Sequence, residues 1–228
     1  MAPKGVDKPP VVVSLHGKNG DALATFGSLR LQDHIVDTGL AVAAIDGGNY
    51  YWHARRSEST GDDDISPDTP PCDPGSMVVD DFIPLLGRLG YDVSRVGFLG
   101  WSMGGYGALL LGETMGPRRV AAIAPMSAAL WVEPGLSSPG AFDDAEDWER
   151  HDVFSRRSRY ADIPIRLACG TSDPFYSSDQ TFVKGFPSTP SYDVTGVFNP
   201  GGHDSAFWAG HAEDQMGFLA HHLAGGSG

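Results

Sequence analysis

The residues with the clearest chemical potential are a serine, an aspartate and a histidine spread over a hundred positions. The serine lies in Gly100-Trp101-Ser102-Met103-Gly104, a G-x-S-x-G pentapeptide between the apolar run Val93–Leu99 and the small-residue run Gly105–Leu111. With a strand before it and a helix after it, a serine at such a turn is forced into a strained backbone conformation with its hydroxyl exposed. The flanking glycines leave room where side chains would strike the neighbouring strand and helix. The pentapeptide alone occurs by chance in many chains, and it is the strand–turn–helix context that makes Ser102 a candidate nucleophile.

A serine hydroxyl is a weak nucleophile at neutral pH and needs a base. His203 is the candidate, in Asn199-Pro200-Gly201-Gly202-His203-Asp204, a Gly-rich loop able to carry an imidazole across to the serine. His16 sits at a strand end, His34 in a helix, His53 and His151 in polar segments, and His211, His221 and His222 on the last helix. A carboxylate must fix the base's tautomer and stabilise the imidazolium. Asp173, in Gly170-Thr171-Ser172-Asp173-Pro174-Phe175, follows a strand and is the choice over Asp179, which lies inside the next helix, and Asp204, which is adjacent to the base. The competing role for Asp173 is a helix cap. An oxyanion hole needs two backbone N–H groups. Met103, just after the nucleophile, supplies one. The other is expected from Leu15-His16-Gly17-Lys18-Asn19-Gly20, with Lys18 favoured and Gly17 or Asn19 as alternatives.

Alternating strand-like and helix-like segments must position these groups. Strands are predicted over 10–16, 40–46, 93–99, 118–126, 163–169 and 192–198. Helices are predicted over 22–38 (from Leu23, Phe26, Leu29, Ile35 and Val36), 77–89, 103–115, 175–186 and 205–223, with a partly helical acidic stretch over 142–158. Asp73 or Ser76 should cap the second helix, and Pro84 should kink it. Continuous β-branched runs such as Val11-Val12-Val13 fit strands buried on both faces. The fold class is therefore α/β: a mainly parallel sheet with helices on both faces and no large lid. In such sheets ligands bind beyond the carboxyl ends of the strands, where every candidate above falls. The chain reads as one domain over 1–228, with 225–228 a flexible tail or linker, and the 47–74 and 127–141 insertions are modest.

The 228 residues carry a formal net charge of −13, which argues against nucleic acid or an anionic membrane as partner, since phosphate binding needs clustered Lys and Arg. Much of the charge is local: Asp62, Asp63, Asp64, Asp68 and Asp73 in one loop, and Asp143, Asp144, Glu146, Asp147 and Glu149 in another. The Asp62-Asp63-Asp64 run lacks the Gly and Glu of a calcium loop, His16, His34 and His53 lack paired spacing, and no CxxC occurs, so no metal is expected. Two cysteines, Cys72 and Cys169, leave room for one disulfide. No apolar run is long enough for a membrane span, and no apolar leader region starts the chain. The compartment stays open between cytoplasm and a secreted protein whose leader is absent from this chain.

The set L-H-G, G-W-S-M-G-G, G-T-S-D and G-G-H resembles the α/β-hydrolase superfamily, in the chain order Ser, Asp, His that the superfamily uses. The Gly104-Gly105 pair followed by the aromatic Tyr106 is most similar to the esterase family of esterase D, feruloyl esterases and mycobacterial mycolyltransferases. The resemblance spans Val11 to Leu223 and implies acyl transfer through a serine ester with no cofactor. Members of that family carry one or two strands before the L-H-G strand. This chain starts almost directly at it, so a shortened sheet or an absent upstream segment is expected.

Aromatic residues expected near the cleft are Tyr50, Tyr51, Trp52, Trp101, Trp131, Phe175, Phe207 and Trp208, with Trp101, Trp131 and Phe207 assigned to the pocket lining. The acidic loops disfavour a strongly anionic substrate. The reading is a serine esterase acting on a small-molecule short-chain or aryl ester. The alternatives are an acyltransferase of the mycolyl type and a hydrolase-like binding protein without catalysis.

Overall fold

The structure, a computed structural model, describes residues 1–56 and 71–224. The acidic run 62–64, Asp68 and the 225–228 tail lie outside the described residues. Six strands form one sheet in the order β2-β1-β3-β4-β5-β6, every neighbouring pair parallel. They are β1 (Pro10–Leu15), β2 (Ala41–Ala44), β3 (Asp92–Trp101), β4 (Val120–Met126), β5 (Ile165–Gly170) and β6 (Val194–Asn199). Parallel neighbours require crossovers, and helices supply them.

Alternate side chains of each strand feed two separate cores. Val11, Val13, Leu15, Val96, Phe98, Ile165 and Leu167 pack on one face with α5 (Met103–Met115). Val12, Leu99, Ala124 and Ala168 pack on the other with α8 (Ser205–Ala224). Burial on both faces is why the central strands read as unbroken apolar runs. At the outer edge, the Met1 amino group donates to the Val42 carbonyl at 2.7 Å, and the Val42 amide donates back to Met1.

The predicted helix over 22–38 is broken into α1 (Ala24–Gly27), a 3₁₀ turn (Leu31–His34) and α2 (Ile35–Thr38). Arg30 takes a left-handed conformation with φ 55° between them. Leu23 and Val36, counted as part of one apolar face, stand in solvent at 74% and 80% exposure. The buried set is Thr25, Leu29, Leu31 and Ile35, and the Thr25 hydroxyl pairs with Ser14 in the sheet at 3.0 Å. A chain that steps along the sheet to bury these residues cannot keep one helical period.

The helical stretch 74–88 comprises α3 (Pro74–Ser76), a π-helical segment (Met77–Phe82) and α4 (Ile83–Arg88). Asp73 is the cap, accepting the Ser76 amide at 2.9 Å. The hydrogen-bond ladder widens just before Pro84, which has no N–H to donate. The remaining helices are α6 (Ala145–His151) and α7 (Tyr176–Lys184). No disulfide joins Cys72, which is exposed, to Cys169, which is buried in β5. Among the described residues no helix is long and apolar enough to cross a membrane.

Candidate active site

Ser102 occupies the turn between β3 and α5 with φ 54° and ψ −121°. A non-glycine residue there costs of order 1–3 kcal/mol and persists only when its surroundings fix it. The Ser102 amide donates to Met126 of β4 at 3.0 Å, and its carbonyl accepts the amides of Tyr106 and Ala129. Close packing makes the turn possible. A side chain at Gly100 would overlap the Gly104 backbone, and one at Gly104 would overlap the carbonyls of Leu15 and His16. The G-x-S-x-G motif is thus also the contact that seats α5 against the end of β1.

Loops after β5 and β6 bring the other two residues to Ser102. His203 Nε2 lies 2.9 Å from Ser102 Oγ, and His203 Nδ1 lies 2.9 Å from Asp173 Oδ2. This geometry has Nδ1–H donating to the carboxylate and Nε2 accepting from the serine hydroxyl. The Ser172 amide donates to Gly201 at 2.9 Å and ties the two loops together. The Asp173 side chain is fully buried, while His203 keeps about a quarter of its side chain in contact with solvent. Burial alone would raise the Asp173 carboxyl. Hydrogen bonds from His203, the Phe175 amide and Ser127 outweigh it and hold the group below the usual carboxylate range.

The alternative acids have other partners. Asp204 Oδ1 accepts the Phe207 amide at 2.9 Å in the first turn of α8. Asp179 is fully buried in α7, where burial pushes its carboxyl well above the ordinary value and its main neighbour is the Cys169 thiol.

Of the expected oxyanion donors, the Met103 amide is the first of α5, and helix N-termini present such donors without an internal partner. The turn after β1 reaches the same place: a Cβ on Gly17 would sit 3.3 Å from that of Ser102. Inside that turn the Gly17 carbonyl accepts the Gly20 amide at 3.0 Å and contacts His16 Nδ1 at 2.8 Å. His16 Nε2 accepts the Gly47 amide at 3.0 Å, so both ring nitrogens of His16 are engaged in holding the turn. The Asn19 amide is committed to Asn49 Oδ1 at 2.7 Å, which leaves Gly17 and Lys18 as the turn's donors.

The aromatic residues distribute differently from expectation. Two rings flank the imidazole: Phe175 at 5.3 Å and Trp208, edge-on, at 5.1 Å. Trp131 meets Phe175 at 5.7 Å and Tyr51 at 5.7 Å, so it joins this group one ring further out. Trp101 packs its indole on Gly17 and lies 6.3 Å from Trp208. Phe207, expected in the pocket lining, is buried in the second core, where it packs beneath Gly201 and against His211. It supports the His203 loop from below, and Trp208, the next residue along α8, faces the imidazole instead.

One contributor was missed by the sequence reading. Ser127, just past β4, is fully buried with φ 46°. Its hydroxyl oxygen accepts from Trp208 Nε1 at 3.0 Å, and Ser127 is among the groups that hold the Asp173 carboxyl down. The available signal was its position: a polar residue at the carboxyl end of the strand between those that present Ser102 and Asp173.

The sequence profile of the family described as Putative esterase matches residues 3–211, and the chain belongs to that family. No curated protein matches the chain in sequence. Among solved structures, the Staphylococcus aureus fluorophosphonate-binding serine hydrolase FphF is 15% identical with a TM-score of 0.75, covering 95% of this chain and 86% of that one. An S-formylglutathione hydrolase from Agrobacterium tumefaciens is 21% identical with a TM-score of 0.73, over 95% of this chain and 85% of that one. Mycobacterium tuberculosis MPT51 (FbpC1) is 15% identical with a TM-score of 0.74, over 96% and 91%. These likenesses establish the α/β-hydrolase fold.

Proposed function

We propose that this member of the esterase family is a serine hydrolase that cleaves carboxylic esters through an acyl-serine intermediate. The observation that carries the reading is the unbroken hydrogen-bond path from Ser102 Oγ through both nitrogens of His203 to Asp173. His203 Nε2 takes the Ser102 proton as Oγ attacks the ester carbonyl carbon. The carbonyl oxygen becomes an oxyanion, held by the amides of Met103 and Lys18. The tetrahedral centre collapses, the C–O bond to the alcohol breaks, and His203 returns its proton to the departing alkoxide. A water then gives a proton to His203 and attacks the acyl carbon; the second tetrahedral centre collapses, the bond to Ser102 Oγ breaks, His203 returns its proton to Oγ, and the acid leaves. Asp173 stays ionised throughout and holds the imidazole in the productive tautomer.

The substrate class follows from the surroundings. Phe175 and Trp208 present apolar rings beside the base, with Trp131 behind Phe175, which suits short-chain or aryl acyl groups. Transfer to an alcohol other than water would use the same first half-reaction. The test is a panel of p-nitrophenyl esters of graded acyl length, assayed with wild type and Ser102→Ala, with and without an added acceptor alcohol. The reading predicts turnover of the short esters that falls by roughly 10⁴-fold or more in the variant. Equal rates in both proteins contradict it, and a dominant transfer product reassigns the second half-reaction.

A further inference from the structure

His53, Asp147 and His151 form a second cluster that shares no residue with the triad. Asp147 and His151 stand one turn apart on α6, on the same helix face. His53 reaches them from the segment after β2, and only 3% of it and 2% of Asp147 are exposed. One donor atom from each of the three lies within 4.8 Å of the others. The two imidazoles stack at 4.2 Å.

The arrangement is unusual in what faces what. His53 Nε2 bonds the Ala141 carbonyl at 3.3 Å, so Nε2 carries the proton and Nδ1 presents a lone pair. That Nδ1 is buried with no hydrogen-bond partner and faces Asp147 Oδ2 at 3.9 Å. Two electron-pair donors thus confront each other in the interior, at a separation too long for a hydrogen bond. Two ligands of one tetrahedral ion with bonds near 2.0–2.1 Å are about 3.4 Å apart, so a shift of about half an ångström would suffice.

The surrounding bonds orient the donors. His151 Nδ1 bonds the Asp147 carbonyl at 2.8 Å and lies 3.0 Å from Asp147 Oδ1, so Nε2 is the nitrogen that keeps an uncommitted lone pair. Asp147 Oδ2 accepts the Asp143 amide at 2.9 Å, and Arg150 shares Oδ1 at 3.4 Å. Committing the second nitrogen of a ligating histidine in this way fixes its tautomer and ring plane. Two cavities, of about 390 Å³ and 360 Å³, reach the cluster; His53 and His151 line the first, Asp147 and His151 the second.

We propose that His53, Asp147 and His151 are three ligands of a site for a divalent first-row transition metal, with a further coordination position facing the cavities. Two imidazole nitrogens and one carboxylate oxygen suit Zn²⁺ or Co²⁺, whereas Mg²⁺ and Ca²⁺ prefer oxygen alone. The ion would clamp the segment after β2 to α6. Arg150 and the buried Arg55 oppose it electrostatically; Asp143, paired with Arg55 at 3.2 Å, and Asp144 offset part of that charge.

The test uses the full chain, without an affinity tag and freed of metal by chelation, titrated with Zn²⁺ and with Co²⁺. The proposal predicts one ion per chain, the strong visible absorption of tetrahedral Co²⁺, and a melting temperature raised by Zn²⁺. Affinity should fall at least about 10-fold in each of His53→Ala, Asp147→Asn and His151→Gln, and should be unchanged in a His221→Ala/His222→Ala double variant. His151 is partly exposed, so His151→Gln carries the test if His53→Ala does not fold. Absence of one-to-one binding in wild type overturns the site, as does binding that persists in folded ligand variants. Hydrolysis of esters is not a readout here, so the result stands apart from the proposed activity.

Discussion

Trp208 Nε1 donates to Ser127 Oγ at 3.0 Å, and Ser127 helps hold the Asp173 carboxyl below the usual carboxylate range. The Trp208 and His203 rings meet in a T-shaped contact at 5.1 Å. One residue of α8 therefore packs on the imidazole and fixes the buried hydroxyl of Ser127, which in turn influences the carboxylate partner of that imidazole. Ser127→Ala should lower kcat by about 10-fold with little change in KM, because it loosens the acid without removing it. Trp208→Phe keeps a ring but loses the donor, and should give a smaller drop. Steady-state kinetics on a p-nitrophenyl ester, with the KM-against-kcat split, would check both.

Two buried aspartates lie near one another and should behave oppositely. Asp173→Asn leaves the shape intact but removes the negative charge that His203 needs, and kcat should fall by about 10⁴-fold. Asp179→Asn should keep activity within a few-fold, since Asp179 has no contact with the base. Loss of activity in the second variant with retention in the first would reverse the assignment of the acid.

The same Asp179 sets a pH dependence of stability. Burial raises its carboxyl above the unfolded value of 3.8, so the folded state holds a proton that the unfolded chain releases. That difference costs nothing below the unfolded pKa and erodes stability progressively as pH climbs toward the folded pKa. Asparagine mimics the neutral acid without a proton to lose. The melting temperature of Asp179→Asn should therefore exceed that of wild type by a margin that widens from pH 4 to pH 8. A constant or narrowing margin would mean the carboxyl is ionised in the fold.

Gly104→Ala tests the seat of α5. The added methyl group would meet the backbone carbonyls of Leu15 and His16, which have no flexible end to yield. Denaturant unfolding should show a loss of at least about 2–3 kcal/mol, or no folded protein. Gly217→Ala is the matched control, because a Cβ there meets nothing within 4 Å.

The helix after Ser102 was readable to the residue: Met103–Met115 is both the predicted and the observed span. The G-x-S-x-G turn fixes its start, and Gly116, at φ 72°, ends it. The pairing of Ser102, Asp173 and His203 was readable because each follows a strand and a parallel sheet gathers strand ends along one rim. Periodicity failed over 22–38, where the burial of single residues against the sheet outweighs helical regularity. The aromatic assignment was less legible, since spacing cannot tell which of the adjacent Phe207 and Trp208 faces the base. Ser127 went unseen because its partner Trp208 lies 81 positions further along the chain, on α8. His53 and His151, 98 positions apart in the numbering, become neighbours only when α6 folds over the segment after β2.

The most direct test of the central claim is covalent capture of Ser102. Wild type treated with a fluorophosphonate should gain the mass of one phosphonyl group, mapped by peptide sequencing to Ser102, with ester hydrolysis lost in proportion to labelling. His203→Ala should label far more slowly, and Ser102→Ala not at all. A wild-type protein that stays unmodified while folded, or one labelled at another residue with Ser102 untouched, would contradict the account.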